Sequence, residues 1–502
     1  MIIFRRPQIQ SFISLFVTIH PHETYTVFYS TSSFFFVLSA YFVVLPLRDE
    51  GAISLGIGNL PGLFIGSLIL TLIAAPLATL IFSSPNLSKA KALVLIHRFF
   101  SASLVLFFIL WVLSSPASSI LNLKGVLSMS SSIKEEVKVE VHHTSRNHSD
   151  WEDHGWFYIS VRIGFFLWVA LLNLITISST WARVIDVMDN EVQDCSDLLV
   201  LVLHLASFSV RCLLQEWRDL LLIASLLMEL AAQSSERINK DISHSSEELS
   251  LLRTEFGHQD ETNELNIKLI HKDSSLRTAN SAAASTKLQF WALLDGLRLI
   301  WSSTYLLCVS SYLWLSAMTS SFFYFQKVTI IASAVTSPTG RRQSFAQINS
   351  FIAVFILAGQ LTVTGRILTV AGVTTALCSA PFIALLNLIA IAIWPTYVAV
   401  AVLETFRKVA TYVITRPGRE LLFTVVSQDE KYKAKVCIDV LVQRLGDATA
   451  AGMYKLLYSS LNGRTTSVSL YAVPVCILWI LTGFRLGRRQ TQLANSHNLS
   501  FS

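Results

Sequence analysis

Apolar stretches of about twenty residues recur along this chain, and that repetition restricts its fold more than any other feature. A bilayer core about 30 Å thick is crossed by a helix of roughly that length. Inside it every backbone N–H and C=O must find a partner within the protein, which leaves helices or a closed barrel. Stretches this long and this uniformly apolar indicate helices. The clearest are Phe28 to Leu47, Leu60 to Phe82, Ala92 to Leu113, Phe157 to Ile177, Thr304 to Phe325, Phe351 to Leu368, Ala371 to Ile393 and Val468 to Phe484. Weaker, polar-spotted ones at Leu198 to Val210, Leu220 to Ala232, Tyr397 to Ile414 and Val436 to Leu457 bring the expected number to about twelve.

Composition agrees. Charged residues make up 14% of the chain where a soluble protein carries about a quarter, and mean hydropathy is +0.54. The net charge of +6 does not mark a nucleic-acid binder, because the basic residues are scattered at the ends of spans. Six cysteines (Cys195, Cys212, Cys308, Cys378, Cys437, Cys476) lie in or beside apolar stretches with no C-x-x-C pair, which argues against a zinc site or disulfide framework. The histidines of VHHTSRNHSDWEDH (His142, His143, His148, His154) sit in a polar loop without ligand spacing, so no metal or cofactor is expected. Asn147-His148-Ser149 is a glycosylation pattern with meaning only in a secretory lumen. H-E-x-x-H, G-x-S-x-G and Walker A motifs are absent, which weakens every enzyme reading.

Sidedness follows from the connections. Those on the N-terminal side carry Lys89, Lys91, Arg183, Arg366, Arg416, Arg419, Lys431, Lys433 and Lys435; Arg5, Arg6, Arg485, Arg488 and Arg489 agree. The positive-inside rule then puts both termini in the cytoplasm or an equivalent compartment. The N-terminus is basic, with no acid before Glu23, and reads either as an ordinary cytoplasmic end or as part of a transit sequence. The expected layout is an N-terminal segment (1–27), a first transmembrane bundle (28–232) with a hydrophilic insert (116–156), a polar central loop (233–288), a second bundle (289–485) and a tail (486–502).

Ionisable residues inside spans cost about 2.5 to 3.5 kcal/mol each on insertion scales, so each is a candidate for function. Arg98 and Arg162, in the third and fourth spans, are suited to holding an anion bidentately. In the tenth span Glu404, Arg407 and Lys408 stand at i, i+3 and i+4, so the carboxylate can pair with either cation; gating and simple neutralisation both fit. In the eleventh, Asp439, Gln443 and Asp447 share a face while Arg444 projects about 140° from Asp439. These acids fit either a pathway or a structural network. Arg48, Asp49 and Glu50 close the first span, where interfacial snorkelling explains them as well as ligand binding. Asp295 and Arg298 open the seventh as an interfacial pair.

The segment RPGRELLFTVVSQDEKYKAKVCIDVLVQRLGDATAAGMYK (Arg416 to Lys455) resembles the ATP:ADP antiporter family of plastids and intracellular bacteria, most closely that family's bacterial relatives. The match is carried by Arg416, Pro417, Arg419, Glu420, Phe423, Lys431, Lys433, Lys435, Ile438 and Asp439. YFVVLPLRDE (Tyr41 to Glu50), WVALLNLITISSTWARVIDVMD (Trp168 to Asp189), YFQ (Tyr324 to Gln326) and FAQIN (Phe345 to Asn349) extend it over most of the chain outside the two inserts. The resemblance implies a major-facilitator-type fold, an all-α membrane protein of two six-helix bundles with alternating access, and an anionic substrate of the nucleotide kind. It also implies roles for Glu420 and for Lys433 or Lys435, and makes a plastid envelope one expected location. Two other readings stay open: a carrier of another solute, coupled to protons through Asp439 or Glu404, and a non-transporting descendant of a carrier.

Two departures from the family pattern stand out. The resembled carriers read like L-R-D-T-K at the end of the first span, whereas this chain reads Leu47, Arg48, Asp49, Glu50, Gly51, with no cation at the last position. Their fifth span is glycine-rich, whereas here no glycine lies between Gly164 and Gly257, and that stretch carries Asp194, Asp197, His204, Arg211 and Glu216.

Overall fold

A computed structural model describes residues 24–82, 89–114, 155–177, 179–180, 220–256, 296–362, 364–426, 434–435, 437–460 and 465–501. The hydrophilic insert up to residue 154, the fifth span at Leu198 to Val210, the end of the central loop, the four loop histidines, Cys195, Cys212, Asp295, Lys431 and Lys433 lie outside the described residues. Among the described residues every regular element is a helix.

We number the helices α1 (Thr24–Ser54), α2 (Leu60–Phe82), α3 (Lys89–Ser114), α4 (Trp156–Leu172), α5 (Leu220–Phe256), α6 (Thr304–Ala334), α7 (Pro338–Thr362), α8 (Thr364–Ile393), α9 (Tyr397–Val409), α10 (Gln443–Ser460), α11 (Thr465–Tyr471) and α12 (Val473–Phe501). Seven of these helical regions are long and apolar enough to cross a membrane: Phe28–Ser54, Ile57–Leu77, Lys91–Ser114, Trp156–Ile177, Thr304–Ala334, Gly372–Ile393 and Val468–Ala494. Helices α5, α7, α9 and α10, which carry more polar residues, make up the rest of the bundles. Helix α5 continues to Phe256, beyond Ala232 where the polar segment begins.

The exterior is apolar. Ile65, Ile69, Ile73, Phe99, Leu106, Ile109, Phe355, Phe382, Leu386, Val402, Phe406 and Leu481 are all exposed. In water such a surface would aggregate; against lipid tails it costs nothing. Inside, buried apolar residues form two clusters. One joins α1, α3, α4 and α5 around Val37, Val44, Leu104, Val169 and Met228. The other joins α6 to α12 around Tyr312, Phe325, Leu388 and Tyr454, and draws in Ala52, Ile53, Leu60, Leu63 and Phe166 from the first half.

Within the second bundle α6 packs on α10, and α8 on α12. Gly446 makes the first contact possible: a Cβ there would lie 2.7 Å from the Trp314 carbonyl oxygen and 2.8 Å from the Ala317 Cβ. Small residues let backbones approach where no hydrophobic effect drives helices together. Between bundles α1 meets α7 and α2 meets α10. Phe64 of α2 seals this seam, its ring 4.8 Å from that of Phe325 and 5.4 Å from that of Tyr324.

Three helices widen to π geometry: α4 at Asn173–Ile177, α9 at Ala410–Thr415 and the turn Ile438–Val442 leading into α10. In α9 the Thr411 hydroxyl donates to the Arg407 carbonyl at 2.8 Å, a local bond that bends helices. Such widened turns concentrate at functional sites. Here they occur on the three helices whose sequences carry Arg162, Arg407 with Lys408, and Asp439.

Candidate functional site

Buried charges gather at one turn of α1 and on α9. Pro46 has no N–H to give the carbonyl at position 42, so α1 is weakened one turn before Arg48, Asp49 and Glu50. The helix nevertheless runs on to Ser54, so these three residues lie inside it and not at its end. Asp49 is 2% and Glu50 4% exposed, which corrects the snorkelling expectation: the turn is packed against α7 and α6 and its carboxylates are buried in protein.

Each acid of this turn is met from its own helix or from the other bundle. Arg48 Nη2 lies 2.6 Å from Asp49 Oδ1, and the Tyr324 hydroxyl of α6 donates to the same oxygen at 2.7 Å. The Arg48 guanidinium also stacks over Phe166 and Tyr324, 5.2 and 5.6 Å from the ring centroids. Across the seam Arg342 Nε of α7 lies 3.3 Å from Glu50 Oε2. In α9, Arg407 clasps Glu404 with Nη2–Oε2 at 2.7 Å and Nε–Oε2 at 2.9 Å; both residues are at most 5% exposed. Arg407 also donates to Ser320 Oγ at 3.3 Å and stacks over Phe323. Of the two cations offered to Glu404 by spacing, the structure selects Arg407. Lys408 sits over the Tyr412 ring, 5.7 Å from its centroid.

Arg162 is different. It is 6% exposed, its guanidinium lies 3.1 Å from the Trp111 ring centroid and 4.5 Å from that of Tyr158, and its Nε and Nη1 have no hydrogen-bond partner. It sits beside Gly51, where an added Cβ would lie 3.4 Å from Arg162 Cδ and 3.2 Å from Trp111. The Arg162 stem and Trp111 thus fill space that a side chain on residue 51 would crowd.

The remaining sequence candidates lie elsewhere. Arg98 of α3 is half exposed and spent on α5, with Nη2 3.1 Å from Glu236 and Nε 3.6 Å from Glu229. At the α9–α10 end Arg419 pairs with Asp439 at 2.8 Å, Gln443 donates to the same oxygen at 2.9 Å, and Lys435 pairs with Glu420 at 2.7 Å. Burial disfavours the charged form of Glu420, but the Lys435 hydrogen bond and ammonium, with Arg419 and Arg416, outweigh it and hold the carboxyl below its ordinary range. Farther along, Arg444 Nη1 is 3.4 Å from Asp447 Oδ2, and Ser321 donates to the other oxygen.

Sequence reasoning missed Lys327, Arg342 and His97. Lys327 falls two residues past the apolar stretch drawn to Phe325, and Arg342 reads as loop until α7 is seen to begin at Pro338. His97 is fully buried, its Nε2 3.0 Å from Thr180 Oγ1, in a stretch whose hydropathy hides a single histidine.

The comparisons bear on this arrangement in two ways. The model of the TLC ATP/ADP transporter family matches residues 318–490. Over those residues the chain carries that family's pattern, and the resemblance read in the sequence is borne out there. No curated protein matches the chain in sequence. Among solved structures it is similar to a POT family transporter in complex with 5-aminolevulinic acid, at TM-score 0.53 and 12% identity over 92% of this chain and 96% of that one. A POT family transporter with a thioalcohol-conjugated peptide gives 0.52 and 12% over 93% and 96%. The peptide transporter POT with sulfate gives 0.54 and 10% over 97% and 99%. At these identities the likeness speaks to the fold alone. The chain is an integral multi-pass membrane protein with the major-facilitator-type fold expected from the resemblance.

Proposed function

We propose that this carrier moves an organic anion by alternating access, exchanging nucleotides of the ATP/ADP kind. One observation carries the reading: Arg162 is buried beside the seam with two guanidinium nitrogens lacking acceptors. A buried cation with no carboxylate in ion-pair contact is expensive, and an incoming anion would complete it. The guanidinium offers the planar fork that phosphate or carboxylate oxygens take bidentately. On α9, Lys408 adds a cation without a carboxylate in ion-pair contact among the described residues, and Arg407 would serve only by leaving Glu404. The resemblance adds Glu420, Lys433 and Lys435, and the Glu420–Lys435 pair is one that an entering polyanion would have to open. Arg98, already held by two acids, has the weakest case.

On this reading substrate sits between the bundles, and rocking of one against the other exposes it alternately. Both termini face the cytoplasm or its equivalent, as the basic connections indicate. The rival use of Glu404 or Asp439 as a proton carrier meets carboxylates already committed to Arg407 and Arg419. Uptake of labelled ATP and ADP into proteoliposomes preloaded with nucleotide tests the proposal. Saturable counter-exchange is expected; its absence with every nucleotide overturns the nucleotide reading.

A further inference from the structure

The ion pairs around the seam leave charge over. Asp49, Glu50 and Glu404 each hold one arginine, namely Arg48, Arg342 and Arg407. With those three pairs closed, Arg162 of α4, Lys327 of α6 and Lys408 of α9 remain without a carboxylate within ion-pair distance among the described residues. One comes from the first bundle and two from the second.

Lys327 is the least expected of them. It is 7% exposed, and its Nζ lies 5.6 Å from the ring centroids of both Tyr324 and Phe345. The charged groups that act on it are Glu404 and Asp49, each already engaged, and the like charges Lys408 and Arg407. Lysine buried among aromatic faces gains some cation–π attraction, but far less than the ammonium loses by leaving water. Its place is nonetheless fixed at the seam: Tyr324, one turn earlier on α6, donates to Asp49, and the Gly51 turn that follows Asp49 abuts Arg162.

We infer that Lys327 is the second bundle's anion-contact residue, facing Arg162 of the first across the turn Asp49–Gly51, so that one solute bridges both bundles. The inference rests on the anion-carrier reading and adds to it a residue and a geometry. An anion held by both bundles at once favours the closed, occluded arrangement over either open one. A solute with several negative charges satisfies both cations, whereas a monoanion satisfies one. Lysine suits the second position because a flexible ammonium can follow an oxygen while the bundles rock, which the rigid fork of arginine does less well.

Thermal unfolding of the purified full-length protein in nanodiscs, titrated with tripolyphosphate and separately with orthophosphate, tests this. In the unaltered chain tripolyphosphate raises Tm at lower concentration than orthophosphate. Lys327→Met raises the anion-free Tm, because an uncompensated buried charge is removed, and weakens tripolyphosphate binding roughly ten- to a hundredfold. Lys327→Arg keeps the charge and most of the binding. A Lys327→Met chain that is less stable without anion, or that fails to fold, makes Lys327 a structural residue and overturns the inference. Unchanged tripolyphosphate binding in a stable Lys327→Met chain also overturns it, and leaves the carrier proposal standing. If neither tripolyphosphate nor any nucleotide stabilises the unaltered chain, the anion-carrier reading falls and this inference with it.

Discussion

Two groups of charges drew attention in the sequence for the same reason, their place in or beside spans, and the structure treats them differently. The ladder between the ends of α9 and α10 joins Arg419 to Asp439 and Lys435 to Glu420, acid to base in equal number, with side chains between 20% and 48% exposed. The seam cluster buries Asp49, Glu50, Glu404, Arg407, Arg162 and Lys327 almost completely and, once Arg48, Arg342 and Lys408 are counted with them, sets six cations against three acids. Matched, half-exposed pairs gain little and cost little. Unmatched, buried cations cost several kcal/mol each unless something completes them. Stoichiometry of charge at a given depth, more than the presence of charge in a span, separates the two groups.

The comparison can be broken most forcefully at Glu404. Replacing it with Gln leaves Arg407 buried without its carboxylate, and a loss of about 3–5 kcal/mol in unfolding free energy is expected. A loss below about 1 kcal/mol would mean that the seam tolerates charge as freely as the ladder. Arg162→Met should act in the opposite sense on stability, leaving Tm unchanged or higher, while raising the KM for anion uptake roughly ten- to a hundredfold. A fall in Tm with uptake intact would make Arg162 a packing residue held by Trp111 and Tyr158.

Arg342→Gln sharpens the contrast within the seam, since it frees Glu50 on one side only. A stability loss of about 1–3 kcal/mol is expected, together with a changed ratio of inward to outward uptake rates, because the pair joins α7 to α1. Equal change in both directions would remove any gating role.

The smallest effect belongs to Glu420→Gln, with less than about 1 kcal/mol lost at pH 7. Because Lys435 holds this carboxyl below its ordinary range, the pair's contribution is present above the unfolded value near ~4.3 and disappears as pH falls through the lower folded value. Unfolding curves for the two chains should therefore converge in acid. A gap that persists there would show that the ladder is more than a surface fastener.

Much of the seam was visible as residues but not as a site. Spacing alone placed Arg407 one turn from Glu404, since i and i+3 neighbours meet on any helix, and that pair is present. The partnership of Glu50 with Arg342 spans 292 positions, and nothing in either local sequence announces it. Arg98 and Arg162 looked equivalent, each a lone arginine in an apolar helix. Two glutamates of α5 claim the first, whereas the second lies against Trp111, Tyr158 and Gly51 with no carboxylate at ion-pair distance among the described residues, and which neighbours arrive is a property of packing. Lys327 escaped notice because a hydropathy window closes where apolar residues thin out, two positions short of it.

By itself the sequence determined that this chain lives in a bilayer as helices, because backbone groups in hydrocarbon have no other partners and the apolar stretches have the length a bilayer requires. It also carried the family pattern of the second bundle, through motifs local enough to survive in linear order. Only the tertiary structure decided which charges are spent on one another and which are left over. That depends on the depth of each group and on helices far apart in the chain, and electrostatic cost in a medium of low dielectric is set by those two quantities and not by residue type.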